Sequence, residues 1–500
     1  MRIHCKLKRS KIKVNKIAYD LLERILSNYQ LRNHNYVWFL ISTTYLKLNN
    51  DQMKNFAKTV VAVFLLIVSV NMAKAQNDTS TSTGTASRAL PSPLKSPPFP
   101  GGDWLNGPII GEPADAPDYA LQKLLGMAND QSRIKIYGWI NPSYNYSTSK
   151  NCNVPVAYDV VPNSFQLDQA VLRIERQPNT VQTDNIDWGF RVSNLYGIDY
   201  RYTVAKGWFS DQYYKYNNLY GYDNAETYVM IYFPKIGEGM VLKVGRFISP
   251  PDIEAQLATD NYLFTHSVMF SYDPFTLTGI QSTIRLNSHW QIEFAIHGGN
   301  DMSVWSNSSS PNGQAFVRWV SKNNNDGIWV GINSFGPNWK YTNNHDDLQM
   351  VAGTWGHKFS ERVHMMTEAY YEWELDAATG GSASTGPVQY GAGGGPGVII
   401  PGISGAIGVV NYFQILVGHK DKNYISIRND YLNDMNGWRT GYVTTYLSHT
   451  VGFIHYFTSW LYVRPEIRYD YTVGGNNISA YDLGTKRNQF SASSDVIIRF

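Results

Sequence analysis

From about residue 133 to its last residue the chain reads as a succession of short segments in which apolar and polar side chains alternate. In 186–193, Ile186, Trp188, Phe190 and Val192 fall on one side, and Asp187, Gly189, Arg191 and Ser193 on the other. In 290–297, Trp290, Ile292, Phe294 and Ile296 oppose Gln291, Glu293, Ala295 and His297. In 461–471, Leu461, Val463, Ile467 and Tyr469 oppose Tyr462, Arg464, Glu466, Arg468 and Asp470. Successive side chains of a strand point to opposite faces, so each segment predicts a strand with one apolar and one charged face. Beyond residue 76 no apolar run reaches the roughly eighteen residues a membrane-crossing helix needs.

A soluble sheet alternates as well, but two features separate the cases. Arg and Glu recur on the polar faces, as along a wet lumen. The apolar faces often begin or end in Trp or Tyr, as in an aromatic girdle. In lipid such a sheet must close, because an open edge leaves backbone groups unpaired. Composition agrees. Charged residues make up 17% of the chain, below the roughly 25% of soluble domains. Aromatic residues reach 14%, with 35 Tyr and 14 Trp, side chains whose apolar body and polar tip suit a membrane–water interface. A net charge of +3 argues against nucleic acid as a partner, which usually needs a basic stripe.

Strands are expected near 134–146, 164–176, 185–195, 224–233, 239–247, 276–286, 290–298, 314–320, 327–335, 347–358, 361–374, 407–417, 423–431, 438–456, 460–472 and 488–500. Their connections alternate between long ones, such as 196–223, 248–275 and 375–406, and short ones, such as 287–289 and 359–360. Long external loops and short periplasmic turns are the pattern of outer-membrane barrels. The predicted fold class is all-β, a transmembrane antiparallel up-and-down barrel of about sixteen strands, an even number as single-chain bacterial barrels have.

Ahead of the barrel, residues 53–75 read as a signal peptide. Lys54 and Lys58 form its basic start, 59–70 its apolar stretch, and Ala73-Lys74-Ala75 its cleavage motif before Gln76. A transmembrane anchor is the competing reading, but the run is short for about 30 Å of hydrocarbon. Residues 1–52 are basic and patternless. They are expected to be upstream sequence outside the mature protein, with a cytoplasmic extension as the alternative. Residues 76–132, with a Ser/Thr tract at 78–87 and a Pro-rich stretch at 91–117, predict a periplasmic linker that cannot fold alone, with one short helix near 119–127. Residues 133–500 are the barrel. Of two cysteines only Cys152 follows the signal, so no internal disulfide is expected. Phe500, a terminal aromatic on an alternating strand, is the expected signal for the barrel-assembly machinery.

Several stretches resemble a known family. They are 137–143 (Tyr-Gly-Trp-Ile-Asn-Pro-Ser), 166–173 (Gln-Leu-Asp-Gln-Ala-Val-Leu-Arg) and Val244-Gly245-Arg246-Phe247 followed by Pro250-Pro251-Asp252-Ile253-Glu254. Late in the chain, 464–470 and 484–489 fit the same picture. Over roughly 133–500 the chain resembles the β-barrel porin family described as OmpL-like. The resemblance implies a porin-like protein of the outer membrane. It carries over no functional residues.

Clusters that tempt an enzymatic or metal reading are His297 with Asp301, His364 with Glu368, Glu372 and Glu374, and His345-Asp346-Asp347. Carboxylates spaced by two on a barrel strand are more simply wall charges. Ser448-His449 and His266-Ser267 are sequence neighbours, and neighbours on a strand face opposite sides, the wrong geometry for a proton relay. No catalytic residue, cofactor or metal is expected, and the chain reads as a non-enzyme.

The leading expectation is a passive diffusion channel for small hydrophilic solutes, since about sixteen strands enclose room for water. Its wall would carry Arg173, Glu175, Arg191, Lys243, Arg285, Glu368, Glu372, Arg428, Arg464, Glu466 and Arg468. Loops 196–223, with Arg201, Lys206, Trp208 and Asp211, and 248–275 are long enough either to fold into the lumen and set its size or to cover it from outside. Asp252 is placed to cap a short helix. Loop 375–406, rich in Gly and Ala, reads as mobile. The alternative is a plugged barrel serving structure or surface adhesion. Expected partners are outer-membrane lipid, periplasmic chaperones and the assembly machinery, with a homo-trimer suggested by the strand count.

Overall fold

Sixteen antiparallel strands, each bonded to its neighbours in sequence, close into a barrel when the last pairs with the first. The computed structural model describes residues 110–112, 119–127, 133–210, 218–250, 252–343, 345–380, 397–418, 422–474 and 478–500. The expected signal peptide, residues 1–52, most of the linker, Asp211 and the centre of loop 375–406 lie outside the described residues.

The strands are β1 (Ile134–Ser147), β2 (Phe165–Arg176), β3 (Asp187–Gly197), β4 (Gly221–Phe233), β5 (Met240–Ile248), β6 (Thr276–Arg285), β7 (Trp290–Asn300) and β8 (Asn312–Val320). They continue as β9 (Asp326–Phe335), β10 (Gln349–Lys358), β11 (Val363–Leu375), β12 (Ile403–Val417), β13 (Asn423–Asp434), β14 (Thr444–Tyr456), β15 (Leu461–Val473) and β16 (Asn488–Arg499). At the seam Ser143 pairs with Asp495 and Ile140 with Ile498. Phe500 finishes the closure through its backbone: its N–H donates to the Gly138 carbonyl at 2.9 Å, and its carbonyl accepts the Gly138 N–H at 3.0 Å.

Alternation decides which face looks inward. On β15, Arg464, Glu466, Arg468 and Asp470 are buried inside, while Ile467 and Tyr469 stand 54% and 43% exposed outside. Outward aromatics gather at the two rims. Trp188, Trp290, Trp355 and Trp460 lie toward the short-turn end, and Tyr144, Tyr146, Tyr371 and Tyr469 toward the long-loop end. An exposed apolar band between two aromatic belts is the surface a bilayer solvates.

Most strand ends fall within about four residues of the expected ones, as at β4 (expected from 224) and β12 (expected from 407); two larger departures have a local cause. β14 starts at Thr444 rather than near 438, because Asp434 accepts the N–H groups of Trp438, Arg439 and Thr440 and holds 435–443 as a tight turn. No helix follows Asp252. The Ile253 N–H donates to Glu368 and the Ala255 N–H to Asn261, so side chains replace the helical partners that a capped turn would have used.

A short helix, α1 (Ala120–Leu124), precedes β1. Beside it Tyr119 stacks on the inward Tyr137, with centroids 4.0 Å apart. Ile110 is wholly buried among Tyr228, Tyr232, Val241 and Phe247, and the Gly111 N–H donates to Thr180. These described pieces of the linker pack against the inner wall at the short-turn end.

Candidate functional site

The 27-residue connection 249–275 between β5 and β6 folds into the lumen. All its described residues are buried except Ala255 and Asp260. A loop in that position leaves many backbone groups away from bulk water, and each needs a partner. The wall charges supply them. Glu466 accepts the N–H groups of Phe264 and Thr265 at 2.9 and 3.2 Å. Arg464 donates to the carbonyls of Ala258 and Asn261 at 2.8 and 2.7 Å. Arg468 reaches the His266 carbonyl at 2.5 Å, Glu368 accepts the Ile253 N–H at 2.8 Å, and Arg428 bonds the backbone and hydroxyl of Thr265. From β2, the side-chain amide of Gln169 bonds Gln256 and Ala258.

Two wall glycines let the loop come this close. A Cβ on Gly452 would sit 2.3 Å from the Leu263 side chain, and one on Gly408 would sit 2.8 Å from Met269 Cβ. Segments from two other long loops pack on the same core. Tyr158 of 148–164 stacks on His266 at 3.8 Å and on Tyr202 of 198–220 at 4.3 Å. Burial in this stack pulls the His266 pKa down to about 4.

Opposite the loop, the β2–β4 wall carries its own charge cluster. Arg173 pairs with Glu226 at 2.8 Å, and Arg191 with Glu175 at 2.7 Å and Glu226 at 3.3 Å. Between loop and wall lies a cavity of about 30 Å³, room for one or two waters. Arg173, Arg191 and Glu226 line one side of it, and Asp252, Glu254 and Asp260 the other. Burial, followed by the adjoining carboxylates, pushes the Asp252 carboxyl well above its usual range.

All eleven wall residues expected from the sequence face inward and are at most 5% exposed. The structure divides them by role. Glu368, Arg428, Arg464, Glu466 and Arg468 hold the inward loop. Glu372 meets Arg439 of loop 435–443 at 3.1 Å. Arg173, Glu175 and Arg191 face the cavity side. Lys243 sits over the rings of Tyr228 and Phe247, and Arg285 meets Glu238 at 3.2 Å near the short turns. Sequence reasoning missed Glu226, which shares the inward face of β4 with Tyr228 and Met230 and was legible by alternation. It also missed Glu254 and Asp260 as cavity residues, which no local pattern marks.

Asp301 and the His345-Asp346 pair of the tempting clusters make structural contacts. Asp301 accepts the N–H groups of Phe275 and Thr276 and so seats the loop's return; burial raises its carboxyl to about 7. Asp346 pairs with Arg439 at 2.7 Å. Both ring nitrogens of His345 contact backbone carbonyls, of Asp346 and Asp301. Ser448 is buried inside the barrel while His449 is exposed outside, on opposite faces as alternation requires. Cys152 is a buried thiol outside any disulfide, and burial pushes it up to about 11.

A sixteen-strand barrel with a charged inner wall and a long loop folded across its lumen defines a protein of the outer-membrane porin class. The chain belongs to the family described as Putative beta-barrel porin-2, OmpL-like, whose sequence profile matches residues 133–500. Its place is the outer membrane, and its family and fold are those of a channel rather than an enzyme. Solved structures similar to it include OprB of Pseudomonas putida, with 11% identity over 76% of this chain and 98% of that one and a TM-score of 0.49. Another is an anion-selective porin of Comamonas acidovorans, with 8% identity over 73% and 99% and a TM-score of 0.47. A third is the channel DcaP of Acinetobacter baumannii, with 9% identity over 73% and 97% and a TM-score of 0.43. No curated protein matches the chain. Family membership stands on the sequence match.

Proposed function

We propose that this outer-membrane channel passes small hydrophilic solutes by passive diffusion along a path narrowed by loop 249–275. The observation that carries this reading is the water-sized gap between that loop and the β2–β4 wall, lined by charges of both signs. Paired charges of either sign give weak ion preference, and a loop folded across the lumen restricts passage to small solutes. In this reading the chain is made with the signal peptide 53–75, is exported in a Gram-negative cell, and is the mature protein 76–500. Its linker meets the periplasmic mouth, chaperones and the assembly machinery deliver it to lipid, and it assembles as a homo-trimer.

A second reading is a plugged barrel with a structural or adhesive role. It is favoured by the burial of nearly all of loop 249–275 and by the seating of Ile110 at the short-turn end. Single-channel recording of refolded 76–500 in a planar bilayer separates the two. Stable current steps that shrink as larger neutral sugars are added support the pore. A folded, inserted barrel that passes no current supports the plug.

A further inference from the structure

The inward loop enters and leaves the lumen beside two acidic residues, Asp252 at its start and Asp273 at its end. Glu368, from the middle of β11, meets both. One carboxylate oxygen of each lies within 4.8 Å of the other two, and the three residues are 8%, 2% and 1% exposed. Both oxygens of Asp273, and Oε1 of Glu368, are buried, and no donor outside the three carboxyls themselves reaches them. The charged groups that weigh most on Asp252 and Asp273 are further carboxylates, Glu254, Glu368 and Glu372. The arginines of this region are already engaged, Arg428 with Glu254 and Asp430 and Arg439 with Asp346 and Glu372. Buried carboxylates held together cannot all ionise without positive charge among them.

We infer that Asp252, Asp273 and Glu368 bind a calcium ion that fastens both stems of the inward loop to the β11 wall. The donor set is all oxygen, with no sulfur or imidazole, which suits a hard cation. Calcium takes roughly six to eight oxygens and accepts bidentate carboxylates in irregular geometry, whereas magnesium demands a near-ideal octahedron and keeps most of its waters. Water completing the shell has room in the cavity that Asp252 also lines. The inference rests on the loop position described above and adds a cation to the constriction, but it does not depend on conduction.

Terbium(III), a calcium surrogate that emits when excited through nearby Tyr, tests it on refolded 76–500 in detergent at pH 7.5. The expected result is saturable sensitised emission at one ion per chain, displaced by calcium at concentrations where magnesium has no effect. Asp273→Asn and Glu368→Gln are each expected to weaken terbium binding at least tenfold while keeping the heat-modifiable gel migration of a folded barrel. Both are near-isosteric and relieve like-charge crowding. Calorimetric titration of the unmodified protein with calcium gives the same decision without a variant. One site per chain there, lost in either folded variant, supports the inference. No saturable site, or a site that survives both substitutions, overturns it and leaves a cluster of protonated carboxyls. No current is read in any arm, so a barrel that binds calcium but conducts nothing would sink the pore reading and leave this one standing.

Discussion

Glu254 of the inward loop and Arg428 of β13 meet 3.3 Å apart inside the barrel, with side chains 3% and 0% exposed. The contact joins two parts of the chain more than 170 residues apart, and Arg428 adds bonds to Thr265 on the same loop. A charge pair sealed this way is costly to break from one side, because the surviving partner stays buried alone.

Arg428→Ala therefore loosens the loop from the β13 wall. Removing one partner of a buried pair costs about 3–5 kcal/mol. The expected outcome is a larger, noisier single-channel step and earlier loss of heat-modifiable migration on warming. A variant with the conductance and thermal midpoint of the parent would show that the loop is held elsewhere.

Gly452→Val tests the same attachment by volume rather than charge. The new side chain occupies the place of Leu263, whose Cδ2 lies 2.3 Å from where its Cβ would be. Overpacking of this kind typically costs about 1–3 kcal/mol. Protease cleavage within 249–275, followed by mass spectrometry, is expected to appear in the variant and not in the parent.

Glu226→Gln removes one negative charge from the cavity wall while keeping its shape. Arg191 then keeps its pair with Glu175 while Arg173 loses the carboxylate it pairs with, so the wall gains net positive charge. The reversal potential in a salt gradient is expected to move toward anion preference. An unmoved potential would place the ion path away from this wall.

His266 gives a pH dependence with a defined sign. Its folded pKa, about 4, lies below the ordinary 6.5, so the folded protein binds fewer protons there than the unfolded chain. The stability it contributes is present above about 6.5 and is lost as pH falls toward 4. Glu254, Arg428 and Arg464 also act on the ring, and Asp252 and Asp273, with raised pKa values, respond to acid in the opposite sense. The difference between the parent and His266→Asn isolates the histidine. The parent's thermal midpoint relative to the variant's is expected to drop from pH 6.5 to 4.5, and a flat difference would contradict the assignment.

The barrel was legible because its rules are local. A period of two marks strands and their faces, and short turns between long loops mark the hairpins, so β6, β7 and β16 start at the expected residues. The miss at 438–443 shows the limit. Trp438, Arg439 and Thr440 have strand-like composition, and only the position of the Asp434 carboxylate shows that they turn instead. The wall charges were placed on the correct face, but their partners were not legible. Arg464 meets loop residues some 200 positions away, and no periodicity in either stretch encodes that meeting. The same holds for Ile110, which a Pro-rich linker gave no reason to place beside Tyr232.

Loop 249–275 springs from β5 and β6 and is bonded on its far side to β11, β13 and β15. It therefore acts as a cross-brace. A hollow cylinder one strand thick flattens easily under the sideways squeeze of a bilayer, and its cross-section would vary with the lipid around it. With a strut pinned at both walls, the cross-section is set by the protein, and a membrane of different thickness or tension meets the same bore.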